Sequence, residues 1–278
     1  MNLPLTPLIA QSLASAPRGA LRAWSLAVSF LGDCVVPRGG SVNMTTIAGV
    51  LGAYGIDAGA ARTALSRLAA DGWVTRRRIG RNSFYTLTPL ALGQSQAASG
   101  RIYARTPPQQ PCGWQLVNLT GMSDADRRRL REALLRQGAG QFDVHTLILP
   151  ADMPLPAVGP GFVLRLPALP ELEARTLVAR CFDLAALGRS YANFRANHLP
   201  VAEELAGRGT TVDGLEAVAL RVLIVHRFRR IALRDPGLPQ ACLAADWPGL
   251  AARDLLHRLR ADLNPAAEAW LDRHLTGP

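Results

Sequence analysis

Apolar side chains in the first third of the chain recur every three or four residues, which predicts helices. The first predicted helix starts at Ala20, and its apolar stripe consists of Leu21, Trp24, Val28 and Leu31. A short extended piece at Ser41 to Asn43 and a second helix through Leu51 follow. Asn43 or Thr45 is in position to cap that second helix.

The third predicted helix has the clearest start signal. Asp57 is placed to cap a helix over Ala58 to Ala70. Its inner face is apolar and consists of Ala61, Leu65 and Leu68. Its outer face is polar and consists of Arg62, Thr63, Ser66 and Arg67.

Two segments with strand character come next, Trp73 to Ile79 and Ser83 to Thr88, joined by Gly80-Arg81-Asn82. The order helix, helix, turn, helix, hairpin is typical of a winged helix-turn-helix, whose third helix enters the DNA major groove. We predict DNA contacts from the outer face of the third helix and from the hairpin, the alternative being solvated surface. The predicted contact residues are Arg62, Thr63, Ser66, Arg67, Arg76, Arg77, Arg78, Arg81 and Asn82.

The pattern beyond the hairpin predicts a mixed domain and then a helical one. A helix is predicted from Thr88 toward Arg105, and the proline-rich stretch Thr106 to Pro111 marks a domain boundary. Strands are predicted over residues 113–119, 144–149 and 162–166, with helices over 123–137 and 171–180. Further helices are predicted from Leu184 through Phe194, over Leu215 to Arg234 and over Gly249 to Leu263.

These elements predict a multi-domain α+β protein. It comprises an N-terminal winged helix-turn-helix, a central ferredoxin-like α+β domain expected to dimerise, and an all-helical C-terminal domain for effector binding or dimerisation. The predicted ranges are a flexible arm over 1–19, the winged helix-turn-helix over 20–88, a linker over 89–111, the ferredoxin-like domain over 112–182 and the helical domain over 183–278.

The charge distribution indicates a polyanionic partner for the N-terminal part. The formal net charge is +10, and every basic residue is arginine. Residues 1–105 carry 11 Arg against 3 Asp, whereas residues 106–278 carry 20 Arg against 18 acidic residues. A compact domain with this excess favours nucleic acid ahead of an anionic membrane surface.

The cysteines and the hydropathy indicate a soluble cytoplasmic protein with no metal and no cofactor. Cys34, Cys112, Cys181 and Cys242 are widely spaced and form no C-x-x-C motif, so we expect free thiols in a reducing compartment. The apolar run Ala23 to Leu31 is too short to span a bilayer.

Two groups of side chains in the C-terminal part are candidates for ligand contact. His226, Arg229 and Arg230 share one side of an otherwise apolar helix, where cations need partners such as Asp235, Asp246 or an anionic ligand. An internal ion-pair network and direct ligand contact both fit. Tyr191 and Trp247 could stack on an aromatic group, although large aromatics in apolar helices are more often core.

Three separated segments resemble the PaaX family of bacterial transcriptional repressors. The helix and hairpin read RTALSRLAADGWVTRRRIGRNSFYTLT, the linker reads RIY at Arg101 to Tyr103, and the C-terminal part reads HRFRRIALRDPGLP followed by ADWPG. The resemblance implies a homodimeric repressor of aromatic-acid catabolic operons, typically for phenylacetate, that binds a palindromic operator and is released by an aryl-CoA thioester such as phenylacetyl-CoA. Phe182 and Arg260 depart from the family pattern, which usually has tryptophan and an aromatic residue there.

No arrangement of residues predicts an enzyme. The five histidines are scattered, and the sequence has no G-x-S-x-G, no phosphate-binding glycine loop and no H-E-x-x-H. The central segment is similar to the small ferredoxin-like nuclease of CRISPR adaptation, but Trp114 to Leu119 ends without the metal-binding Asp of such a nuclease. Two alternatives to a repressor remain. One is a CoA-thioester-binding protein or enzyme with an accessory nucleic-acid-binding domain, and the other is a non-specific nucleic-acid binder.

Overall fold

The computed structural model describes residues 7–14, 22–106, 113–156, 161–207 and 212–275. The chain divides into two compact units. Unit 1 consists of Met1–Tyr103, Phe194–Arg229 and Arg253–Pro278, and unit 2 consists of Ala104–Asn193 and Arg230–Ala252. This division differs from the predicted linear ranges, because segments of the C-terminal helices belong to the same unit as the N-terminal elements.

The N-terminal part of unit 1 begins with two short helices. These are α1 (Pro7–Ala14) and α2 (Ala23–Phe30), and α2 is followed by a π-helical segment over Leu31–Val35 and a 3-10 turn over Val36–Arg38. The prediction of a loosely held arm is wrong for Pro7–Ala14, since that segment is helical and Leu8 and Ile9 are buried. The rest of the predicted arm and the first two residues of the predicted helix lie outside the described residues.

We call residues 1–103 the head. Its predicted helices and hairpin beyond the arm are confirmed as elements. They are β1 (Ser41–Asn43), α3 (Met44–Gly52), α4 (Ala58–Ala70), β2 (Val74–Ile79), β3 (Asn82–Leu87) and α5 (Pro89–Ile102). Asn43 rather than Thr45 caps α3, accepting a hydrogen bond from the amide of Thr46 at 2.8 Å. The strands form an antiparallel sheet in the order β1-β3-β2, with Val42 opposite Tyr85.

Three longer helices follow later in the chain: α8 (Leu184–Gly207), α9 (Gly214–Ala232) and α10 (Pro248–His274). In α9, every residue from Ala217 to Val225 is buried, as its almost all-round apolar pattern predicts. The last helix continues past its predicted end at Leu263 to His274, with Pro265 inside it.

A buried charge network joins the head to α9 and α10 within unit 1. Asp33 lies in the π-helical segment, and its side chain is 1% exposed. It accepts hydrogen bonds from Arg221 Nε at 2.9 Å, from the Tyr103 hydroxyl at 2.6 Å and from Arg260 Nη2 at 3.3 Å. Arg221 also pairs with Glu268. The Cys34 thiol also donates to Asp33, at 3.5 Å. A buried carboxylate is stable in the interior when it is paired and hydrogen-bonded in this way.

The network sets the protonation state of its members. Burial alone would raise the pKa of Asp33, but the guanidinium groups of Arg221 and Arg260, together with the Tyr103 hydroxyl, hold it below the ordinary value. The pKa of the Tyr103 hydroxyl is raised by burial and by the adjacent Asp33 carboxylate. Burial and the same carboxylate also raise the pKa of the Cys34 thiol. Asp33 is therefore ionised, while Tyr103 and Cys34 keep their protons.

Unit 2 contains an antiparallel sheet and two helices from the middle of the chain. The elements are β4 (Trp114–Asn118), α6 (Asp124–Arg136), β5 (Gly140–Gln141), β6 (Thr146–Pro150), β7 (Phe162–Leu166) and α7 (Glu171–Cys181), and the strand order is β5-β6-β4-β7. The predicted ferredoxin-like order βαββαβ does not match this arrangement. Helix α7 follows the edge strand β7 instead of preceding it. Ser123 caps α6 by accepting a hydrogen bond from the amide of Asp126 at 3.2 Å.

Both faces of this sheet are covered by apolar side chains. Trp114 and Ile148 pack with Val178 on one face, while Val117 and Leu147 pack with Leu134 on the other. In the described part of the chain, no helix is both long and apolar enough to cross a membrane.

Candidate nucleic-acid interface

Helix α4 is held by a cap at its start and by its buried face. The carboxylate of Asp57 accepts hydrogen bonds from the amides of Gly59 at 2.7 Å and Ala60 at 2.8 Å, and these bonds lower its pKa. Leu65 and Leu68 are almost completely buried. The polar face must therefore point outward, because a helix with one buried apolar stripe exposes the opposite side.

We call this polar face the α4 surface, and its predicted contact residues are all exposed. They are Arg62, Thr63, Ser66 and Arg67. The Thr63 hydroxyl donates to the carbonyl of Gly59 at 3.1 Å. Arg67 lies 3.8 Å from the carboxylate of Asp71, and its Cζ is 5.5 Å from the centre of the Trp24 ring. The α4 surface thus presents two guanidinium groups with different surroundings.

The β2–β3 hairpin presents cations on both of its faces. Asn82 pairs with Ile79 at the end of the ladder, so Gly80 and Arg81 form the turn, with Gly80 at a φ of 59°. Side chains alternate along a strand, so Arg76 and Arg78 point to one face and Arg77 to the other. The Arg76 guanidinium donates to the Ser83 hydroxyl at 3.0 Å, and Arg78 Nε donates to the Gly80 carbonyl at 3.2 Å.

Little negative charge compensates these arginines. Among the six arginines of α4 and the hairpin, only Arg67 forms an ion pair within the part of the chain that the structure describes. The side chains of Arg76, Arg77, Arg78 and Arg81 are exposed. Such a surface attracts a polyanion and repels other cations.

Two of the candidate effector residues, His226 and Arg229, have partners in unit 1. In unit 1, His226 Nδ1 lies 2.9 Å from the Ser29 hydroxyl, and Arg229 Nη2 donates to the carbonyl and hydroxyl of Ser25 at 3.1 and 3.0 Å. Both serines belong to α2, so these contacts tie α9 to the head. Arg230 belongs to unit 2. The expected partners Asp235 and Asp246 are also in unit 2.

Tyr191 and Trp247 come together in unit 2. Their ring centres are 6.2 Å apart in an edge-to-face arrangement, and the Tyr191 hydroxyl donates to Asp235. Tyr191 is completely buried, whereas Trp247 is half-buried. Gly249 leaves room for the indole, since a Cβ there would lie 2.4 Å from Trp247 Nε1. Tyr191 therefore belongs to the core of unit 2, and the Trp247 indole lies at the edge of that core, partly exposed to solvent.

The sequence interpretation missed the most deeply buried ionic residues, Asp33 and Arg221. Each breaks an apolar run, Asp33 between Leu31 and Cys34 and Arg221 within Val218 to Val225. A charge inside a continuous apolar segment is the signal that could have identified them. Arg260, a departure from the family pattern, joins them, and its Cζ lies 4.2 Å from the centre of the Tyr103 ring.

The three cysteines within the described residues are buried. Cys34, Cys181 and Cys242 are free thiols, while Cys112 lies outside the described residues. No group of three or more His, Cys, Asp or Glu that could hold a metal ion occurs within the described ranges.

Known proteins match most of the length of this chain. The family described as PaaX-like protein matches residues 22–90, and the PaaX-like protein C-terminal domain matches residues 182–273. The Transcriptional repressor PaaX of Escherichia coli (strain K12) is 30% identical over 261 residues, which cover 89% of this chain and 82% of that protein. The chain belongs to the PaaX family. The resemblance predicted from the sequence is confirmed.

The two PaaX matches include the α4 surface, the hairpin and part of the buried network around Asp33. The first contains α4 and the hairpin, and the second contains Arg221 and Arg260. A solved structure, Uncharacterized protein Rv0674 from Mycobacterium tuberculosis, aligns with this PaaX-family chain at a TM-score of 0.57 and 20% identity, covering 90% of this chain and 99% of that one. Similarity at that identity is evidence of a shared fold only.

Proposed function

We propose that this PaaX-family protein is a transcriptional repressor whose head reads operator DNA as a winged helix-turn-helix. The observation that carries the proposal is the exposed, almost uncompensated arginine surface of α4 and the β2–β3 hairpin. Helix α4 is the recognition helix, with Arg62 and Arg67 directed to base edges and phosphates. Arg81 and Asn82 at the hairpin tip contact phosphates or the minor groove.

The repressor binds as a homodimer to a palindromic operator. A twofold dimer places its recognition helices about 34 to 36 Å apart, which is one turn of DNA. The four-stranded sheet of unit 2 is the proposed dimerisation module. Its edge strand β7 exposes Phe162 and Leu164.

The proposed effector is an aryl-CoA thioester such as phenylacetyl-CoA, which controls genes of aromatic-acid catabolism. This part rests on the family and on arginines suited to phosphate groups. The contacts of His226 and Arg229 with serines of α2 favour a structural role for those two residues. Trp247 and Arg230 are the stronger candidates for ligand contact, with Tyr191 supporting the indole. Effector binding then favours a dimer geometry that no longer matches the operator spacing.

Gel-shift titration against the DNA upstream of its own operon tests this function. We expect nanomolar binding that persists with excess competitor DNA and is abolished when phenylacetyl-CoA is added. Equal affinity for operator and competitor would contradict sequence-specific repression. Unchanged binding with a panel of aryl-CoA compounds would refute the effector class while leaving DNA recognition intact. Turnover of a CoA thioester without operator preference would instead support the enzyme alternative.

A paired substitution tests the recognition surface. The double variant Arg62→Ala with Arg67→Ala should bind the operator much more weakly. The negative slope of log K against log salt should become less steep by about 0.9 for each phosphate contact that is lost. Arg136→Ala, on a helix of unit 2 and paired with Glu132, is the matched control and should leave the slope unchanged. An unchanged affinity and slope in the double variant would show that α4 is not the recognition helix.

A further inference from the structure

Arg67 differs from Arg62 in having a defined aromatic neighbour. Its Cζ lies over the Trp24 ring at 5.5 Å from the ring centre, within the range of a cation–π interaction. The Arg67 side chain is still 62% exposed, so the guanidinium is open to a ligand. Within the described residues, Arg62 has no such ring beside it.

The Trp24 side chain is fixed by packing rather than by a hydrogen bond. It is half-buried on α2, and its indole nitrogen is buried without a hydrogen-bond acceptor in the described part of the chain. Helix α2 packs against α4, and this packing places the Trp24 ring beside Arg67. What Trp24 offers at the surface is therefore the face of its ring.

The second neighbour of Arg67 restrains it less. Asp71 is 56% exposed, and its carboxylate is 3.8 Å from Arg67 Nε. Exposed ion pairs at this spacing on a helix contribute little and are screened by salt. At 3.8 Å the two groups are too far apart for a hydrogen bond. Contact with a ring face also leaves the donors in the guanidinium plane free for base edges or phosphate.

We propose that Trp24 is a positioning residue for DNA recognition, an inference that rests on the proposed DNA-binding function. The ring holds the Arg67 guanidinium on the α4 surface before DNA arrives, so binding costs less side-chain freedom. On binding, DNA phosphate or a guanine edge displaces Asp71 and takes the in-plane donors. Trp24 itself touches no DNA and acts only through Arg67.

Operator affinity in a double-mutant cycle tests the coupling. Trp24→Leu keeps apolar volume but removes the ring face, and it should lower operator affinity about two- to fivefold, while Trp24→Phe should retain most of the affinity. In an Arg67→Ala background, Trp24→Leu should have no further effect. In an Arg62→Ala background, which is the matched control, its effect should equal that in the wild type. An equal loss of affinity in the Arg67→Ala background would overturn the proposal, because Trp24 would then act through folding alone.

A measurement without DNA separates this inference from the proposed function. Ring currents should shift the Arg67 Nε–H proton upfield in the NMR spectrum of the full chain, with the signal assigned by its disappearance in Arg67→Lys. The shift should vanish in Trp24→Leu and persist in Asp71→Asn. Its absence from the wild type would overturn the positioning role. Failure of the wild type to prefer operator DNA, with the shift present, would overturn the proposed function and with it the role of Arg67 in recognition.

Discussion

His198 shows how a single buried side chain makes stability depend on pH. The ring is 1% exposed, its Nδ1–H donates to the Phe194 carbonyl at 2.7 Å, and it stacks on the Phe194 ring with centres 4.3 Å apart. Burial lowers the pKa of His198 to about 4, and the nearby Arg227 contributes to this lowering, although the carbonyl contact opposes the shift. The folded protein therefore keeps this imidazole neutral at pH values where the unfolded chain protonates it.

We expect stability to fall as pH drops from about 6.5, the pKa of an unfolded histidine, toward about 4. Stability falls with falling pH because, between these two pKa values, the unfolded state binds a proton at His198 and the folded state does not. The full loss of stability from this group is about 3 kcal/mol. Urea unfolding of the wild type at pH 7.5 and pH 5 measures about 2 kcal/mol of this loss, and His198→Gln should lose less stability between the two pH values. Equal losses in both proteins would contradict the assignment.

At the scale of elements, two glycines with similar backbone angles differ in the space around them. Comparing their alanine variants therefore separates the stability lost to backbone strain from that lost to a steric clash. Gly121 and Gly138 have φ values of 82° and 97°, which disfavour any other residue. A Cβ at Gly121 would meet nothing within 4 Å, whereas one at Gly138 would lie 2.3 Å from the carbonyl oxygen of Arg234. Gly138 ends α6 beside the segment that follows α9, so it fixes how these two parts of unit 2 meet.

Gly138→Ala should lower the free energy of unfolding by about 3 kcal/mol, because conformational strain and a backbone clash add together. Gly121→Ala, the matched control, should cost about 1 kcal/mol from strain alone. Chemical denaturation of both variants measures the difference. Equal costs would mean that the Arg234 segment moves aside without penalty.

At the scale of the whole molecule, the buried network around Asp33 carries the largest predicted effect. Asp33→Asn leaves Arg221 with one fewer anion in the interior and should lower the free energy of unfolding by about 3 to 5 kcal/mol. Because the pKa of Asp33 is lowered in the folded state, this contribution is present above about pH 4 and disappears as pH falls further.

The measurement is urea unfolding at pH 7 and at pH 3 or below. Glu132→Gln is the control, since it removes one partner of the exposed Glu132–Arg136 pair and should cost less than about 1 kcal/mol. A difference between wild type and Asp33→Asn that is as large at low pH as at neutral pH would show that volume or packing, not charge, causes the loss of stability.

The head should not fold independently of the C-terminal helices. A fragment of residues 1–103 would lack Arg221 beside Asp33, the Ala219 carbonyl that accepts from the Tyr54 hydroxyl at 2.7 Å, and His226 beside Ser29. We expect this fragment to show poor dispersion in an amide NMR spectrum and no cooperative thermal transition. The full chain is the control. A cooperative transition of the fragment would contradict the division of the chain into these two units.

The sequence by itself determined the local elements and the charge of the head. The Asp57 cap, the apolar stripe of α4 and the turn at Gly80 act over a few residues, so periodicity and capping rules locate them to within a residue or two. The excess of arginine over acid in residues 1–105 is likewise a property of composition.

Only the tertiary structure decided which distant segments complete the head. Asp33 and Arg221 are 188 residues apart, and no local pattern encodes their pairing. The sequence interpretation placed the notable arginines at Arg229 and Arg230, because they form a visible cluster, and passed over Arg221 inside an apolar run. Burial gives Arg221 its importance, since a lone cation in the interior requires an anion wherever the chain can supply one. That requirement brings the end of the chain into the same unit as its beginning.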